Sequence, residues 1–359
     1  MKFLITHMYN PNYFGWLYSK YKGLAKKEYK KQLYYHTVIE PFFLADFYSL
    51  NLKKLGHQAY DVIANSKNLQ KRWTKENVSL PRFLLMGKKN WFYEILKMQI
   101  KEIKPDVLIN PAMAYIDPEF LKEMKSYVGM MVGQFPEPLP SKYYKPYDFY
   151  LSSLPNLVEK VKLMGKKSIY LKLGFQPSVN SRLKGNKKDI NVSSVSGFGY
   201  CFKERIPLFE RICQNFAIQV RGYGEKEIPK QSPLRECFQG PIWGMDMFQL
   251  LKDSKIVVNK HADSSHVGNY ANNLRMYEAT GVGTLLITDW KKNLANLFRP
   301  GKEVVVYKNE KECLELIDYY LKNDMEREMI AEAGKERTHS EHAYYNRMKE
   351  LLDILEKWA

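Results

Sequence analysis

Short, mostly apolar runs recur along the chain, and stretches of helical spacing separate them. Residues 2–6, 59–64, 105–110, 127–132, 147–152 and 168–173 have the length and composition of strands buried on both faces of a parallel sheet. Between them, 42–55, 91–103, 118–125 and 155–164 repeat apolar side chains at the intervals of an amphipathic helix. A second series follows, with strands at 191–196, 217–222, 256–258 and 284–288 and helices at 204–215, 245–252, 274–280, 310–322 and 324–333. Alternating strands and helices predict an α/β chain built on parallel sheets. A last helix starting at Ser340 carries Tyr344, Met348, Leu351, Leu352 and Leu355 on one stripe. Residues 66–89 are basic and poorly patterned and read as a loop with one short helix, and KGNKKD at 184–189 reads as an interdomain hinge. Asn309 with Glu312 and Asn323 with Glu326 predict helix caps, while Gly281 and Gly334 read as helix stops.

Composition makes this a globular chain: 359 residues, 45% apolar and 14% aromatic, are enough for two cores. No apolar run approaches the ~20 residues that span a bilayer. The start, MKFLITHMYNP, lacks the apolar stretch of a secretory signal. Cys201, Cys213, Cys237 and Cys313 show no metal-binding spacing and read as free thiols of a reducing cytosol. A cytoplasmic protein is therefore expected.

The net charge of +17 is unevenly spread. Residues 1–178 carry 28 Lys and Arg against 14 Asp and Glu, whereas 179–359 carry 28 against 25. The first half is expected to face something anionic: a membrane surface, a phosphate-bearing acceptor or nucleic acid. Within it, residues 13–35 interleave Tyr13, Phe14, Trp16, Tyr18, Tyr21, Tyr29, Tyr34 and Tyr35 with six lysines between Lys20 and Lys31. That stretch fits a peripheral contact with the anionic inner face of a membrane, and equally a surface helix with its lysines in water.

Candidate chemistry concentrates in residues 256–289, IVVNKHADSSHVGNYANNLRMYEATGVGTLLITD. A buried strand opens the stretch, a polar loop with Asn259, Lys260, His261 and His266 follows, and Asn272-Asn273 can cap the next helix. A loop entering a helix behind a buried strand presents free N–H groups and the positive end of the helix dipole to an anion. Arg275, in the first turn, can clamp phosphate oxygens; Glu278, one turn on, can accept from two sugar hydroxyls. Upstream, Gly197-Phe198-Gly199-Tyr200 lies between a strand and a helix beside Lys203 and Arg205, the arrangement of a diphosphate cradle.

The order Arg275-x-x-Glu278-Ala279-x-Gly281-x-Gly283, followed by an apolar strand ending at Asp289, resembles the C-terminal half of GT-B glycosyltransferases, most nearly the spore-maturation CgeB-like branch. Phe298-x-Pro300-Gly301-x-Glu303-Val304-Val305, Arg337 and His342-x-Tyr344-x-x-Arg347 extend the likeness over about residues 190–350. It implies two Rossmann-like domains facing across a cleft: an acceptor domain at 1–178, a nucleotide-sugar donor domain at 179–340, and a C-terminal helix, 341–359, crossing back to the first. The activity implied is transfer of a sugar from a nucleoside diphosphate sugar to a hydroxyl of a glycan, lipid-linked or protein acceptor. Glu278 would hold the ribose and Arg275, Lys203 and Arg205 the diphosphate, with Asn273, Gly199, Tyr223, His261 and His266 around them. The turn 239–244 cradles the nucleobase in the family, largely through backbone groups, and Trp243 reads there either as a donor contact or as a core or rim residue. No Asp-x-Asp stands in a suggestive place and GT-B enzymes work without a bound metal, so neither metal nor cofactor is expected besides the donor.

An inverting transfer needs a general base. His7, directly after the first strand, and Glu137, in the proline-rich loop 133–140, are the candidates. Position 270, where retaining relatives carry a second glutamate, is Tyr270, which mildly favours inversion, although His266 or Asn269 could replace the missing contact. The charge also suggests a nucleic-acid-binding protein, although no helix-turn-helix, RNP or zinc pattern supports it. A non-catalytic nucleotide-sugar-binding module is a third reading.

Overall fold

The computed structural model describes residues 1–79, 91–185, 187–271 and 273–357. The chain divides into two compact units, Met1–Leu171 with Met348–Ala359, and Lys172–Arg347.

The first unit holds a six-stranded sheet of β1 (Lys2–His7), β2 (Gln58–Ile63), β3 (Val107–Asn110), β4 (Met130–Gln134), β5 (Phe149–Ser152) and β6 (Ser168–Tyr170). The order is β2-β1-β3-β4-β5-β6 and every pairing is parallel. Phe3, Leu4, Ile5, Leu108 and Ile109 are fully buried, which is why these strands read as continuous apolar runs. Chain direction across the sheet reverses between β1 and β3, so the loops after His7 and Asn110 leave the same carboxyl edge at the switch point.

In the second unit β7 (Ile190–Gly197), β8 (Ile218–Tyr223), β9 (Ser254–Asn259), β10 (Leu285–Asp289) and β11 (Val305–Tyr307) form a parallel sheet in the order β11-β10-β9-β7-β8. Its switch point lies between β7 and β9. One core on the sheet includes Val192, Leu208, Ile212, Val220, Val258, Ile287 and Ile317.

Glycines are where the expected elements depart most from the structure. Gly281 is not in the left-handed region; it ends the helix Leu274–Gly281, and the left-handed residue is Gly283, with φ +81°. A Cβ on Gly281 would lie 2.5 Å from the Phe175 ring, so this glycine makes room for a packed aromatic. Gly334 does not stop a helix either. It lies inside Asp324–Glu341, where a Cβ would meet the Glu303 carbonyl oxygen at 2.3 Å. Ser340 belongs to that same helix, and the last helix is Tyr344–Glu356, with Tyr344, Met348, Leu351, Leu352 and Leu355 all buried. The Asn309 cap accepts from the Glu312 amide at 3.0 Å. Residues 67–77 form a full helix, Lys67–Asn77, in the stretch read as mostly loop, while the rest of that reading at 80–90 lies outside the described residues, as do Asn186 of the hinge and Asn272 of the cap. The helix expected from residue 42 begins at Phe47, because Phe43 and Ala45 take left-handed conformations that a helix cannot contain.

The distal landmarks hold the second unit together. Arg347 donates to the Leu173 carbonyl at 3.0 Å and to His342 Nδ1 at 2.6 Å, so the other imidazole nitrogen donates to the Leu297 carbonyl at 2.7 Å. Glu303 is buried and closes its turn through the Arg299 amide at 2.7 Å.

Residues 13–35 fold as the end of the helix Pro11–Lys20, a short turn at Leu24–Lys26 and the helix Tyr29–Tyr34. Their aromatic side chains are largely used within the unit. Tyr13 is fully buried and stacks on Phe42 with centroids 4.8 Å apart, Tyr18 donates to Gln32 at 2.8 Å, and Tyr21 donates to Glu40 at 2.6 Å. Lys22, Lys26, Lys27, Lys30 and Lys31 remain exposed. Among the described residues no helix is long and apolar enough to cross a membrane.

Candidate functional site

At the switch point of the second unit, Arg205 joins the ends of the two diverging strands. Its buried guanidinium donates to the Gly197 carbonyl at 2.8 Å and to the Lys260 carbonyl at 2.9 Å, and lies 3.8 Å from the Phe202 ring centre. Burial lowers its pKa to about 10, which leaves it charged at neutral pH. Two of its donors are therefore committed to backbone, and the residue braces the loop ends rather than standing free.

The helix that follows, Arg205–Asn215, starts as expected after the Gly-x-Gly turn, but its entrance is already occupied. Asp263, from the loop after β9, is 7% exposed, and its carboxylate accepts from the Lys203 amide at 3.0 Å and the Glu204 amide at 3.4 Å. A carboxylate at a helix N-terminus is favoured by the dipole and satisfies otherwise unpaired amides. The Lys203 side chain is exposed and makes no ion pair among the described residues. Gly199, with φ +136°, sits in this turn, and the half-exposed Tyr223 covers Gly197, where a Cβ would meet its ring at 2.7 Å.

Across the switch point, the loop after β9 feeds the helix Leu274–Gly281. Asn273 caps it, accepting from the Met276 amide at 3.3 Å while donating to Asn259 at 3.0 Å. Arg275 and Glu278 come together as the three-residue spacing requires: the guanidinium lies 2.8 Å from the carboxylate, and both side chains are nearly buried. Arg275 also donates to the Val195 carbonyl of β7 at 3.3 Å and rests on Met247 Sδ. Burial raises the Glu278 carboxyl above its ordinary value, and the Arg275 charge offsets only part of that rise. The sequence supplied the pair; it did not supply Met247.

The remaining predicted residues sit differently. His261 is buried and donates through Nδ1 to Asp289 at 2.7 Å, while its backbone amide binds the same oxygen at 2.9 Å. Burial pushes the Asp289 carboxyl up, but the His261 ring, its hydrogen bonds and the Lys291 ammonium, 3.1 Å away, outweigh it and hold the group well below the usual carboxylate range. His266 is half-buried and packs edge-on to the exposed Tyr200. Trp243 is buried at the start of the helix Gly244–Asp253. A cavity of about 630 Å³ opens at the carboxyl edge of β9, β10 and β11, lined by Lys260, His261, Asn269, Asp289, Lys291 and Trp290, the last 46% exposed.

In the first unit, His7 is 1% exposed and its Nε2 meets Asp61 at 2.9 Å. A carboxylate only accepts, so Nε2 is the donor in this contact. Nδ1 has no partner among the described residues, and the Tyr9 ring packs against the imidazole at 5.5 Å. The other Asp61 oxygen accepts from Ser49. Glu137 is half-buried in its loop.

Three positioning residues escaped the sequence: Asp61, Asp263 and Asn293, whose side chain clamps Ala271 through its amide at 2.6 Å and its carbonyl at 2.8 Å. Asp61 had a visible signal, since a carboxylate inside an apolar strand must find a partner. Asp263 and Asn293 had none.

Residues 205–353 match the family model described as glycosyl transferase-like. No curated protein matches the chain in sequence. Among solved structures the chain is similar to a glycosyltransferase from Rickettsia africae, with TM-score 0.59, 13% identity, and 99% of this chain and 98% of that one covered. HepE from Anabaena, in complex with UDP-glucose, gives TM-score 0.63 at 10% identity over 99% of this chain and 100% of that one. Sucrose-phosphate synthase from Thermosynechococcus elongatus gives TM-score 0.59 at 10% identity over 100% and 99%. The chain thus has the GT-B fold, and its residues 205–353 are similar to the glycosyl transferase-like family.

Proposed function

We propose that the chain transfers a sugar from a nucleoside diphosphate sugar to a hydroxyl acceptor, with the donor held by the second unit. The observation that carries this reading is the buried Arg275–Glu278 pair, 2.8 Å apart, at the entrance of a capped helix beside the switch point. A desolvated carboxylate next to one cation is a strong acceptor for paired ribose hydroxyls, and the cation beside it can meet the diphosphate. Lys203 supplies a second, exposed positive charge, while Arg205 acts by bracing the loop ends. Positive charge on the leaving diphosphate is the main electrostatic demand of such a reaction, and side chains meet it here without a metal in our reading. A uridine nucleotide is the first donor to try, because HepE, of the same fold, was solved with UDP-glucose and with UDP. Calorimetry with UDP-glucose, UDP and UMP tests the assignment: UDP should bind well above UMP, and equal affinities would remove the diphosphate site.

For the acceptor step we propose His7 as general base in an inverting reaction, oriented by Asp61 through Nε2 and receiving the proton on Nδ1. Its burial under Tyr9 means that the loop after β1 must open for an acceptor hydroxyl to reach it. Glu137 is the alternative base. A glycan or lipid-linked acceptor fits the basic first half, and the exposed lysines of 22–31 are the contact proposed for an anionic membrane face. Within the glycosyltransferases we place the chain nearest the CgeB-like branch, on Arg337 and the His342–Arg347 landmarks.

A further inference from the structure

The cavity at the carboxyl edge of β9, β10 and β11 has no part in the donor reading, and neither Arg275 nor Glu278 lines it. Its volume, about 630 Å³, is that of a ligand pocket. Trp290, the first residue after β10, stands in its wall with 46% of its surface open. An indole is ordinarily spent on a core. Here its loop is fixed instead. The Trp290 amide donates to the Tyr307 carbonyl at 2.8 Å and the Lys292 amide to the Asn269 carbonyl at 3.2 Å, which ties the loop after β10 to β11 and to the loop after β9. The ring is thus a flat apolar platform held in place before any ligand arrives.

Around it stand three ammonium groups, of Lys260, Lys291 and Lys308, and three carboxylates, of Glu204, Asp289 and Glu310. The carboxylates already face cations: Asp289 lies 3.1 Å from Lys291, Glu204 3.6 Å from Lys260 and Glu310 3.2 Å from Arg211. The walls therefore balance in charge and hold no special attraction for an ion. What they leave over is hydrogen-bonding capacity. The exposed Lys308 ammonium makes no ion pair among the described residues, and the half-buried Asn269 side chain has no hydrogen-bond partner among them. Glu204, its side chain 59% exposed, keeps free lone pairs. A flat apolar surface ringed by donors and acceptors of no net charge suits a pyranose, whose C–H groups form an apolar face and whose hydroxyls form a polar rim. We propose that this cavity binds a neutral pyranose unit of a glycan, its C–H face on Trp290 and its hydroxyls on Lys308, Asn269 and Glu204. This saccharide site is separate from the donor pair and does not rest on it.

The test is saturation-transfer NMR on the whole chain without nucleotide. The probes are the methyl glycosides of glucose, galactose, mannose and N-acetylglucosamine, with glucuronic acid and glucosamine as charged counterparts. At least one neutral glycoside should bind saturably and more tightly than both charged sugars. Trp290→Ala should weaken it at least about tenfold and Lys308→Gln about threefold, at unchanged thermal midpoints. Tyr319→Ala, at a position as exposed in the same unit but outside the cavity, should leave it unaltered. Saturating UDP should not displace the glycoside, and failure of UDP itself to bind would count against the donor reading alone. Lack of saturable binding by every neutral glycoside overturns the proposal. So does tighter binding of a charged sugar, displacement by UDP, or an equal loss in Trp290→Ala and Tyr319→Ala.

Discussion

Glu278 is a carboxylate with almost no water and a single cation, and both conditions leave measurable traces. Glu278→Ala should weaken nucleoside diphosphate binding by about 1.5 kcal/mol or more, since it removes charge-assisted hydrogen bonds. Unchanged affinity in calorimetry would take Glu278 out of the donor site. The raised carboxyl also predicts a sign for stability. Above the ordinary value of 4.5, the native state still holds a proton that the unfolded state has released, so this group makes stability fall as pH rises through that window. Glu278→Gln cannot lose a proton, so its stability relative to wild type should improve as pH rises from 4.5; urea midpoints across pH read this directly. The pair was legible in the sequence because a helix fixes which residues three apart must meet. Asp263 and Asn293 were not, because their partners lie 60 and 22 positions away and only the fold brings them together.

Elements were legible wherever period decided them: β1 to β10 followed from apolar runs alternating with helical spacing, whereas the short β11 and the strand order did not. Glycine was misleading, because the same residue serves two physical needs that look alike in a sequence. Gly281 and Gly334 are helical and exist for close approach, to Phe175 and to the Glu303 backbone. Gly281→Ala should therefore destabilise by about 1–3 kcal/mol through overpacking. Gly15, inside the helix Pro11–Lys20 with open space around its missing Cβ, should behave oppositely, and Gly15→Ala should stabilise by about 0.5–1 kcal/mol. Thermal midpoints that moved in the same direction for both would contradict the packing argument. Aromatic residues in 13–35 show a similar limit, since composition cannot tell which side of a helix meets the core; vesicle binding, if it occurs, should depend on the lysines alone and vanish at high salt.

Over the whole molecule, buried His36 in the first unit and buried His342 in the second cannot take up a proton cheaply. Burial holds His36 at about 3, and burial with the nearby arginines and Lys172 holds His342 at about 3 despite its bond to the Leu297 carbonyl. Between the ordinary value of 6.5 and about 3 the unfolded chain binds protons that the native chain refuses, so stability is lost as pH falls. Each histidine should add up to about 1.4 kcal/mol per pH unit to acid unfolding, and His36→Gln should flatten the curve by one share. The division of the chain carries a consequence for its biosynthesis. Met348, Leu351, Leu352 and Leu355 belong to the first unit but are translated after the whole of the second. A ribosome therefore releases a contiguous second unit, free to fold, while the first still lacks part of its apolar lining, the reverse of the usual vectorial order. Stalled nascent chains ending near residue 347 should expose a protease-sensitive first unit that becomes resistant once the final helix emerges.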